Sequence, residues 1–556
     1  LSQAGVVEKH PALCCLINTS AFQQVSTRTR MRRCLGLYST DPVIELLSPE
    51  FRQGLKLMVV LVIPFAALQV IACFALCMWL AAARHTMPRT QVLETPPNNT
   101  NKLLAESPAG EQTFNKPPAG PQKEQTQDLE VPRLVMWFLY TGNLMLNVNF
   151  TLVLPASERV MLDAGGSTLL SGVCIGSYAI GALVSLPFII RLSRRSYRDT
   201  VLLMAVVAVI GNLAYAAMGL FHGSVAIAGL IFARAMCGIA GGVVIMFMSA
   251  VVQLSSGAAT ATGVARVVLA GSLGLVLGPA AASASQTCLP RFPPEVPPAV
   301  TMVLAAAAYG LAAWKLFPGQ AECFVMAGLQ DPQALQDSNS GGMEKGEPSY
   351  SEVQRRKAWL FLGLTCVQCI CRAFQRVFWE AGILLLLVEE YGFSERTAGF
   401  IVTLPVLASL PIILSAAAIY RLGLHPSLRV LELLEILGVL LMLRVEGQSH
   451  SRSLALLMIG SSVFYAANWM TAGPFTATRA SFSVDGHWAL GVEALTGISW
   501  GAAFIGYFYG PVVSRAILGT VMSQNLLAVS LIVVWLGCLL TMEVGLHTLL
   551  AEETSA

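Results

Sequence analysis

Residues 200–220 read TVLLMAVVAVIGNLAYAAMGL, a run without a single charged side chain. An α-helix needs about 20 mostly apolar residues to cross the hydrocarbon core of a bilayer. Runs of this kind recur along nearly the whole chain from Leu55 onward. The composition agrees, since 55% of the 556 residues are hydrophobic and 12% are charged, against about 25% charged in an ordinary soluble chain. We therefore expect an all-α membrane protein, with the lipid bilayer as its surroundings.

The apolar runs predict two groups of six membrane-spanning helices. The first group lies at about 134–156, 166–192, 200–220, 224–252, 258–284 and 298–317. The second group lies at about 358–388, 397–421, 428–444, 453–478, 488–514 and 524–549. We expect residues 134–317 to form an N-terminal six-helix bundle, 318–357 a central cytoplasmic loop, and 358–550 a C-terminal six-helix bundle.

Three further segments precede the first bundle. Residues 1–53 are polar and basic, 54–84 contain an additional hydrophobic helix, and 85–133 are rich in Pro, Asn, Gln, Glu and Thr. The last composition predicts a disordered linker. If residues 54–84 span the membrane, the basic residues 1–53 lie on the non-cytoplasmic side, where Lys and Arg are normally rare. The N-terminal part is therefore either the product of an incorrectly joined exon, or the hydrophobic segment is a re-entrant or cleaved anchor. We expect 1–53 and 85–133 to make few contacts with the bundles.

A pattern of two glycines and a proline occurs once in each group of spans. It is formed by Gly274, Gly278 and Pro279 in the fifth span and by Gly506, Gly510 and Pro511 in the eleventh, an offset of 232 residues. An Arg-Leu pair ends both the second and the eighth span, at an offset of 230. Glycines let membrane helices approach closely, and proline removes a helix hydrogen bond and allows a bend. The offsets predict a duplicated six-helix unit, with the halves related by a pseudo-twofold axis along the membrane normal.

The basic residues favour one orientation in the membrane. If residues 130 and 550 both face the cytoplasm, the inner connections hold Arg194, Arg195 and the basic triplet 355–357. The opposite loops hold fewer basic residues, with Arg515 among them. An excess of Lys and Arg marks cytoplasmic loops, which supports this orientation.

Two motifs resemble those of the major facilitator superfamily. Arg234 followed by Gly238 and Gly242 resembles the fourth-helix motif of that family, an arginine followed by spaced glycines. The pattern that begins at Gly274 resembles its fifth-helix motif. The resemblance implies a twelve-helix fold and secondary transport of a small solute by alternating access.

Within the superfamily, this sequence resembles the vacuolar phosphate transporters that carry an SPX domain. It also resembles their lysosomal relatives of the ceroid-lipofuscinosis type. The matching stretches are PASE at 155–158, SRRSY at 193–197 and GNLAYA at 211–216. The resemblance implies an anion such as phosphate as the substrate, a vacuolar or lysosomal membrane as the location, and a gating role for Arg194 and Arg195. The acid that usually precedes these basic residues is not found here. The resemblance does not include an SPX domain, so sensing of inositol polyphosphate is not expected.

Polar residues follow one face of the seventh span. Gln368, Arg372, Arg376 and Glu380 recur every four residues, which places them on the same side of a helix. Ionisable side chains inside a membrane are costly unless they face a cavity or a partner. We expect this face to bind substrate, with Glu380 and Glu493 of the eleventh span coupling transport to protons. The alternative is an ion pair between Arg376 and Glu380 that merely locks the helix.

The other substrate-binding candidates are Asn143 and Asn147 in the first span, Arg234 in the fourth and Asn468 in the tenth. Arg234 has an alternative interpretation as a structural arginine bonded to carbonyl groups of a neighbouring helix. A cavity with several arginines and few carboxylates favours an anion, because guanidinium groups present paired donors to carboxylate or phosphate oxygens.

Other classes of function find little support. No Walker loop, HExxH or GxSxG motif occurs in a credible context, so an enzyme, a metal site and a cofactor are not expected. The cysteines 366, 369 and 371 lie in an apolar run, where thiols act as small hydrophobic groups. A net charge of +3 without a basic, aromatic-rich stretch argues against a nucleic-acid partner. We expect a monomer, and the competing hypothesis is a channel-like or lipid-moving protein on the same scaffold.

Overall fold

The computed structural model describes residues 132–551, apart from 256, 320–321, 324–351, 415–418, 420–421, 423, 472–491 and 521–522. The predictions for 1–53 and 54–84, nearly all of that for 85–133, and most of that for the loop 318–357 lie outside the described residues.

The described part of the chain is helical and contains no strand. The first half comprises α1 Arg133–Thr151, α2 Ser157–Asp163, α3 Thr168–Ser193, α4 Tyr197–Met218, α5 Gly223–Gly241, α6 Val244–Leu254, α7 Gly257–Cys288 and α8 Val296–Leu316. The second half comprises α9 Glu352–Glu389, α10 Glu395–Ile401, α11 Thr403–Leu414, α12 Leu424–Leu441, α13 His450–Met470, α14 Val492–Thr520 and α15 Gln524–Ala551.

Each predicted span coincides with one helix or with two consecutive helices. The fourth span consists of α5 and α6, and the eighth consists of α10 and α11. Within the described residues, eight segments are long and apolar enough to cross a membrane. The all-α membrane fold expected from the sequence is therefore confirmed. One boundary was wrong: α14 continues to Thr520, so Arg515 lies inside this helix rather than in a loop.

Serine residues begin three of the helices. The side chains of Ser167, Ser196 and Ser394 accept hydrogen bonds from backbone amides in the first turns of α3, α4 and α10. Such caps satisfy donors that a helix start leaves without a partner. These serines therefore mark the N-terminal ends of the three helices.

Polarity is distributed as expected for a protein whose outer surface meets lipid. Large apolar side chains such as Trp137, Phe232 and Leu540 are each about two-thirds exposed. Arg234 and Glu435, by contrast, are almost completely buried. Lipid solvates apolar side chains and provides no partner for charges, so the buried charged groups have their partners inside the protein.

The same helix pairs form in both halves. Helix α1 packs on α7 as α9 packs on α14, and α4 packs on α5 as α12 packs on α13. At Gly274 of α7 and at Gly506 of α14, an added Cβ would overlap a backbone carbonyl oxygen, that of Leu144 in α1 and that of Ile370 in α9. This repetition is what a duplicated unit would give, and superposition of the two halves is the test of that prediction.

The remaining packing candidates also lie at close helix contacts. An added Cβ at Gly238 would overlap the carbonyl oxygen of Tyr178 in α3, and one at Gly278 would overlap the hydroxyl of Thr151 in α1. Gly242 approaches Ser185 of α3, and Gly510 approaches the carbonyl of Phe374 in α9. Pro279 and Pro511 lie inside α7 and α14, while Arg194 and Arg195 are exposed in the turn after α3.

Two sets of helices join the halves. Helix α3 packs along α14, and α7 packs on α10 and α11. An added Cβ at Gly172 of α3 would lie 2.7 Å from the carbonyl oxygen of Pro511, and one at Gly399 of α10 would lie 3.2 Å from that of Pro279. Both distances end at backbone atoms of the other half. The backbones of the two halves therefore approach each other closely at Gly172 and Gly399.

Candidate functional site

The polar face predicted for the seventh span forms part of α9 and is buried. Arg372, Arg376 and Glu380 are each about 5% exposed, and Gln368 is 1% exposed. Their partners come from four other helices, so α9 lies at the centre of the polar interior of the second half.

Arg372 forms ion pairs with two glutamates of α12. Its Nη1 donates to Glu435 Oε2 at 2.7 Å, and its Nη2 donates to Glu432 Oε1. Both carboxylates are buried, Glu435 completely. The expectation of several arginines with few carboxylates did not include these two glutamates, which compensate the charge of Arg372 within its own half.

Arg376 has a different environment from Arg372. Its Nη1 donates to the Tyr507 hydroxyl at 2.9 Å, and its Nη2 donates to Asn468 Oδ1 at 3.0 Å. The guanidinium carbon lies 3.6 Å from the centre of the Trp469 ring, a cation–π contact. Among the described residues, no carboxylate forms an ion pair with Arg376.

Glu380 does not lock α9 through Arg376. Its Oε1 accepts a hydrogen bond from the Tyr465 hydroxyl at 3.0 Å, whereas its Oε2 is buried without a hydrogen-bond partner. The alternative of an internal Arg376–Glu380 ion pair is therefore wrong. The proposed proton role of Glu493 falls outside the side chains that the structure describes.

Asn468 connects the two arginines. Its Nδ2 donates to Glu435 Oε1 at 3.2 Å, while its Oδ1 accepts from Arg376. The same amide nitrogen lies 3.4 Å from Gln375 Oε1. One continuous hydrogen-bonded network thus runs from the Arg372 ion pairs to Arg376.

The side chain of Gln368 points towards α15, away from the network around Arg372 and Arg376. Its Nε2 donates to the carbonyl oxygen of Cys538 at 2.6 Å and to the Thr541 hydroxyl at 2.9 Å, both in α15. Its amide therefore ties α9 to α15, and its role in substrate binding stays a prediction.

Arg234 donates hydrogen bonds to the C-terminal end of α1. Its two terminal nitrogens each donate at 3.0 Å, one to the carbonyl oxygen of Asn149 and the other to that of Phe150. These carbonyls lie in the last turn of α1, where a helix has acceptors without partners. This geometry agrees with the alternative interpretation of Arg234 as a structural arginine bonded to carbonyl groups of a neighbouring helix.

Asn143 and Asn147 lie beside a cavity between the two halves. Asn143 Nδ2 donates to the carbonyl oxygen of Val267 at 2.7 Å, and Asn147 Nδ2 donates back to the Asn143 carbonyl at 2.8 Å. The cavity is small, because the centre of a water molecule can move through only about 40 Å³ of it. Its wall also contains side chains from α3, α6 and α14, namely Tyr178, Val244, Trp500, Phe504 and Tyr507.

Tyr507 belongs to both the cavity and the charged network. Its ring lies 5.8 Å from that of Phe150, which in turn lies 5.3 Å from Tyr178. Arg234 contacts the far side of this aromatic row, at 5.1 Å from the Tyr178 ring. The structure therefore brings Asn143 and Asn147 to one cavity, places Arg376 behind Tyr507 of its wall, and leaves Arg234 and Arg372 with other partners.

Several residues of this site were missed by the sequence analysis. Glu432 and Glu435 are two acids three positions apart in an apolar span, a readable sign of a polar helix face. Tyr507 and Trp469 gave no such sign, because aromatic residues are common throughout the spans.

Similarity to known sequences covers a limited part of the chain. No protein-family model matches it. A stretch of 155 residues is 30% identical to an SPX domain-containing membrane protein of Arabidopsis thaliana, covering 28% of this chain. The chain spans 20% of the length of that relative.

Solved structures share the arrangement of the helices. A partially occluded, inward-open structure of the E. coli xylose transporter XylE has a TM-score of 0.53 at 14% identity, over 72% of this chain and 96% of that chain. A D-xylose-proton symporter has a TM-score of 0.54 at 13% identity, over 73% and 96%. The human organic anion transporter TETRAN has a TM-score of 0.49 at 18% identity, over 74% and 99%. XylE is described as a protein of the major facilitator superfamily. The helix order together with the similarity to the xylose transporters shows that the chain has the fold of that superfamily.

Proposed function

We propose that this protein is a secondary transporter that moves a small anion, such as phosphate, across a membrane by alternating access. The observation that carries the proposal is the hydrogen bond from Arg376 to Tyr507, a residue in the wall of the cavity between the halves. A site between two halves of this fold can face either side of the membrane as the halves rock.

The donors at this point suit an anion. Arg376 is held by Tyr507, Asn468 and Trp469 and forms no ion pair with a carboxylate among the described residues. Tyr507 accepts from Arg376 and thus keeps its own O–H free to donate. Guanidinium and hydroxyl donors together match the oxygens of phosphate or a carboxylate.

The location is proposed from the resemblance alone. The vacuolar and lysosomal transporters that the sequence resembles suggest one of these membranes. Imaging of the tagged full chain with lysosomal or vacuolar markers tests the location, and a protein confined to the plasma membrane would contradict it.

Uptake into liposomes tests the function. The full chain is reconstituted and offered labelled phosphate, small carboxylates and xylose, which serves as the neutral comparison. We expect saturable anion uptake that Arg376→Gln abolishes and Arg376→Lys weakens. Arg429→Gln is the matched control, because Arg429 forms an exposed ion pair with Glu543, and such pairs contribute little.

Two outcomes would contradict the proposal. Normal anion uptake by folded Arg376→Gln would show that this arginine is structural. Conductance that does not saturate would favour the channel-like alternative on the same scaffold.

A further inference from the structure

The wall of the cavity between the halves is largely aromatic, and none of the described residues that line it is charged. Five rings form one connected row along this wall, with the centres of neighbouring rings between 5.3 Å and 6.3 Å apart. In order along the row they are Tyr178, Phe150, Tyr507, Phe504 and Trp500. The last three come from α14, where spacings of three and four residues place them on one side of the helix. The aromatic row therefore gives a ligand an apolar surface to bury.

Two of the polar side chains in the wall use their donors inside the protein. Asn147 Nδ2 donates to the carbonyl and side-chain oxygens of Asn143, and the Tyr178 hydroxyl donates to the carbonyl oxygen of Leu146. Asn143 has a donor to spare, because its amide carries two N–H groups and donates one, to the carbonyl oxygen of Val267. The second N–H of Asn143 has no acceptor in the part of the chain that the structure describes.

The positive charge behind this wall is modest. Arg376 donates to Tyr507, and through Asn468 it is linked to the ion pairs of Arg372 with two glutamates of α12. The formal charges of these two arginines and two glutamates cancel. Tyr507 keeps its O–H to donate, and accepting from a charged group strengthens that donor. Phosphate would need many charge-assisted donors to replace its water, whereas a singly charged carboxylate needs fewer.

The size of the cavity limits the length of a ligand. The centre of a water molecule has about 40 Å³ to move in, which is room for about three water molecules at roughly 10–15 Å³ each. A carboxylate with a short alkyl chain is of this size. An acid with a long chain is too large for the cavity as it stands.

We propose that this cavity binds a short-chain monocarboxylate, with its carboxylate at Asn143 and Tyr507 and its alkyl chain against the aromatic row. This inference rests on the proposed anion transport and narrows its substrate class to small acids with an apolar chain, ahead of phosphate. Each methylene group that leaves water should tighten binding about fourfold. Chain length, rather than charge alone, then sets the affinity.

Competition binding to the purified full chain tests the ligand class. Labelled butyrate is displaced by unlabelled acetate, propionate, butyrate, hexanoate or phosphate. We expect Kd to fall about fourfold with each methylene group from acetate to butyrate. Hexanoate should bind more weakly than butyrate, because the cavity has no room for its chain, and phosphate should bind more weakly than either. Absence of butyrate binding, equal Kd values for acetate and butyrate, or phosphate bound as tightly as butyrate overturns the proposal.

Trp500→Leu distinguishes a ligand site from an effect on the fold. The smaller apolar side chain enlarges the cavity at one end of the aromatic row, so the acid that binds best should change from butyrate to hexanoate. Trp137→Leu is the matched control, because Trp137 is 67% exposed and the same change there should leave butyrate as the best ligand. Butyrate remaining the best ligand of folded Trp500→Leu overturns the proposal. If this variant does not fold, the series of acids on wild type decides alone.

Uptake into liposomes separates this inference from the transport function, with protein-free liposomes as the baseline. Saturable uptake of phosphate without uptake of the short acids would retain anion transport and overturn the substrate class. Binding that depends on chain length, without uptake of any anion, would retain the binding site and overturn the transport function.

Discussion

Arg515 of α14 donates to Glu158 of α2 at 2.8 Å, an ion pair that joins the two halves of the chain. Arg515 is 1% exposed and two of its nitrogens have no hydrogen-bond partner. Glu158 also accepts from Thr168 at the start of α3. The guanidinium therefore depends on one carboxylate for charge compensation, at the end of the molecule where α3 packs on α14.

Glu158→Gln should favour separation of the halves at this end. Removing this carboxylate leaves the buried guanidinium of Arg515 without charge compensation, which is destabilising, and water that enters between the halves would relieve the unpaired charge. We expect a cysteine introduced at Val512, which packs on Gly172, to react faster with a water-soluble maleimide in this variant than in the parent chain.

The neighbouring residue supplies the control for that experiment. Arg159 forms an ion pair with Asp163 that is more than half exposed on both sides, so Arg159→Gln should leave the labelling rate unchanged. Equal rates for Glu158→Gln and the parent would mean that the ion pair does not hold the halves together.

Arg234→Gln should destabilise the protein without changing its preference for substrate. The substitution leaves the carbonyl oxygens of Asn149 and Phe150 without their donors, at about 1–3 kcal/mol for each buried acceptor. We expect a lower melting temperature in detergent and an unchanged KM for the protein that remains folded. A KM raised tenfold at unchanged stability would instead place Arg234 in the substrate site.

Gly274→Ala and Gly506→Ala should each destabilise the fold by about 1–3 kcal/mol, because the added methyl group overlaps a carbonyl oxygen of the neighbouring helix. Gly537→Ala is the matched control, since a methyl group added there would meet no neighbouring helix within 4 Å and alanine favours a helix by about 0.5–1 kcal/mol. Thermal melts of the three variants test this prediction, and we expect lower melting temperatures for Gly274→Ala and Gly506→Ala than for Gly537→Ala. Similar melts for Gly506→Ala and Gly537→Ala would show that α9 can move away from α14.

The positions of the spans were readable because the thickness of the bilayer sets the length of each apolar run. The polar face of α9 was readable for a similar reason, since a spacing of four residues aligns Arg372 and Arg376 on one side. Both inferences depend on local sequence only.

The partners of these side chains were harder to predict. Arg234 bonds to backbone carbonyls of α1, and carbonyl groups occur at every residue, so the sequence contains no sign of this choice. The pairing of Arg372 with Glu432 and Glu435 depends on the contact of α9 with α12, which the order of spans does not specify. The position of Tyr507 beside Arg376 depends in the same way on the packing of α14.

Tyr507→Phe should weaken substrate binding more than it weakens the fold. The ring contact with Phe150 is retained, while the hydroxyl that accepts from Arg376 is lost. The O–H that we propose donates to the anion is also lost, and a hydrogen bond to a charged group is worth about 1.5–3 kcal/mol, so we expect KM for the anion to rise about tenfold or more. Tyr309→Phe is the matched control, because Tyr309 also loses a hydroxyl hydrogen bond, to the carbonyl of Phe138, in the first half. Uptake kinetics and thermal melts of both variants should show a similar small loss of stability, with a change of KM for Tyr507→Phe alone. An unchanged KM for Tyr507→Phe would remove the tyrosine from the anion site and leave its hydroxyl as a support for Arg376.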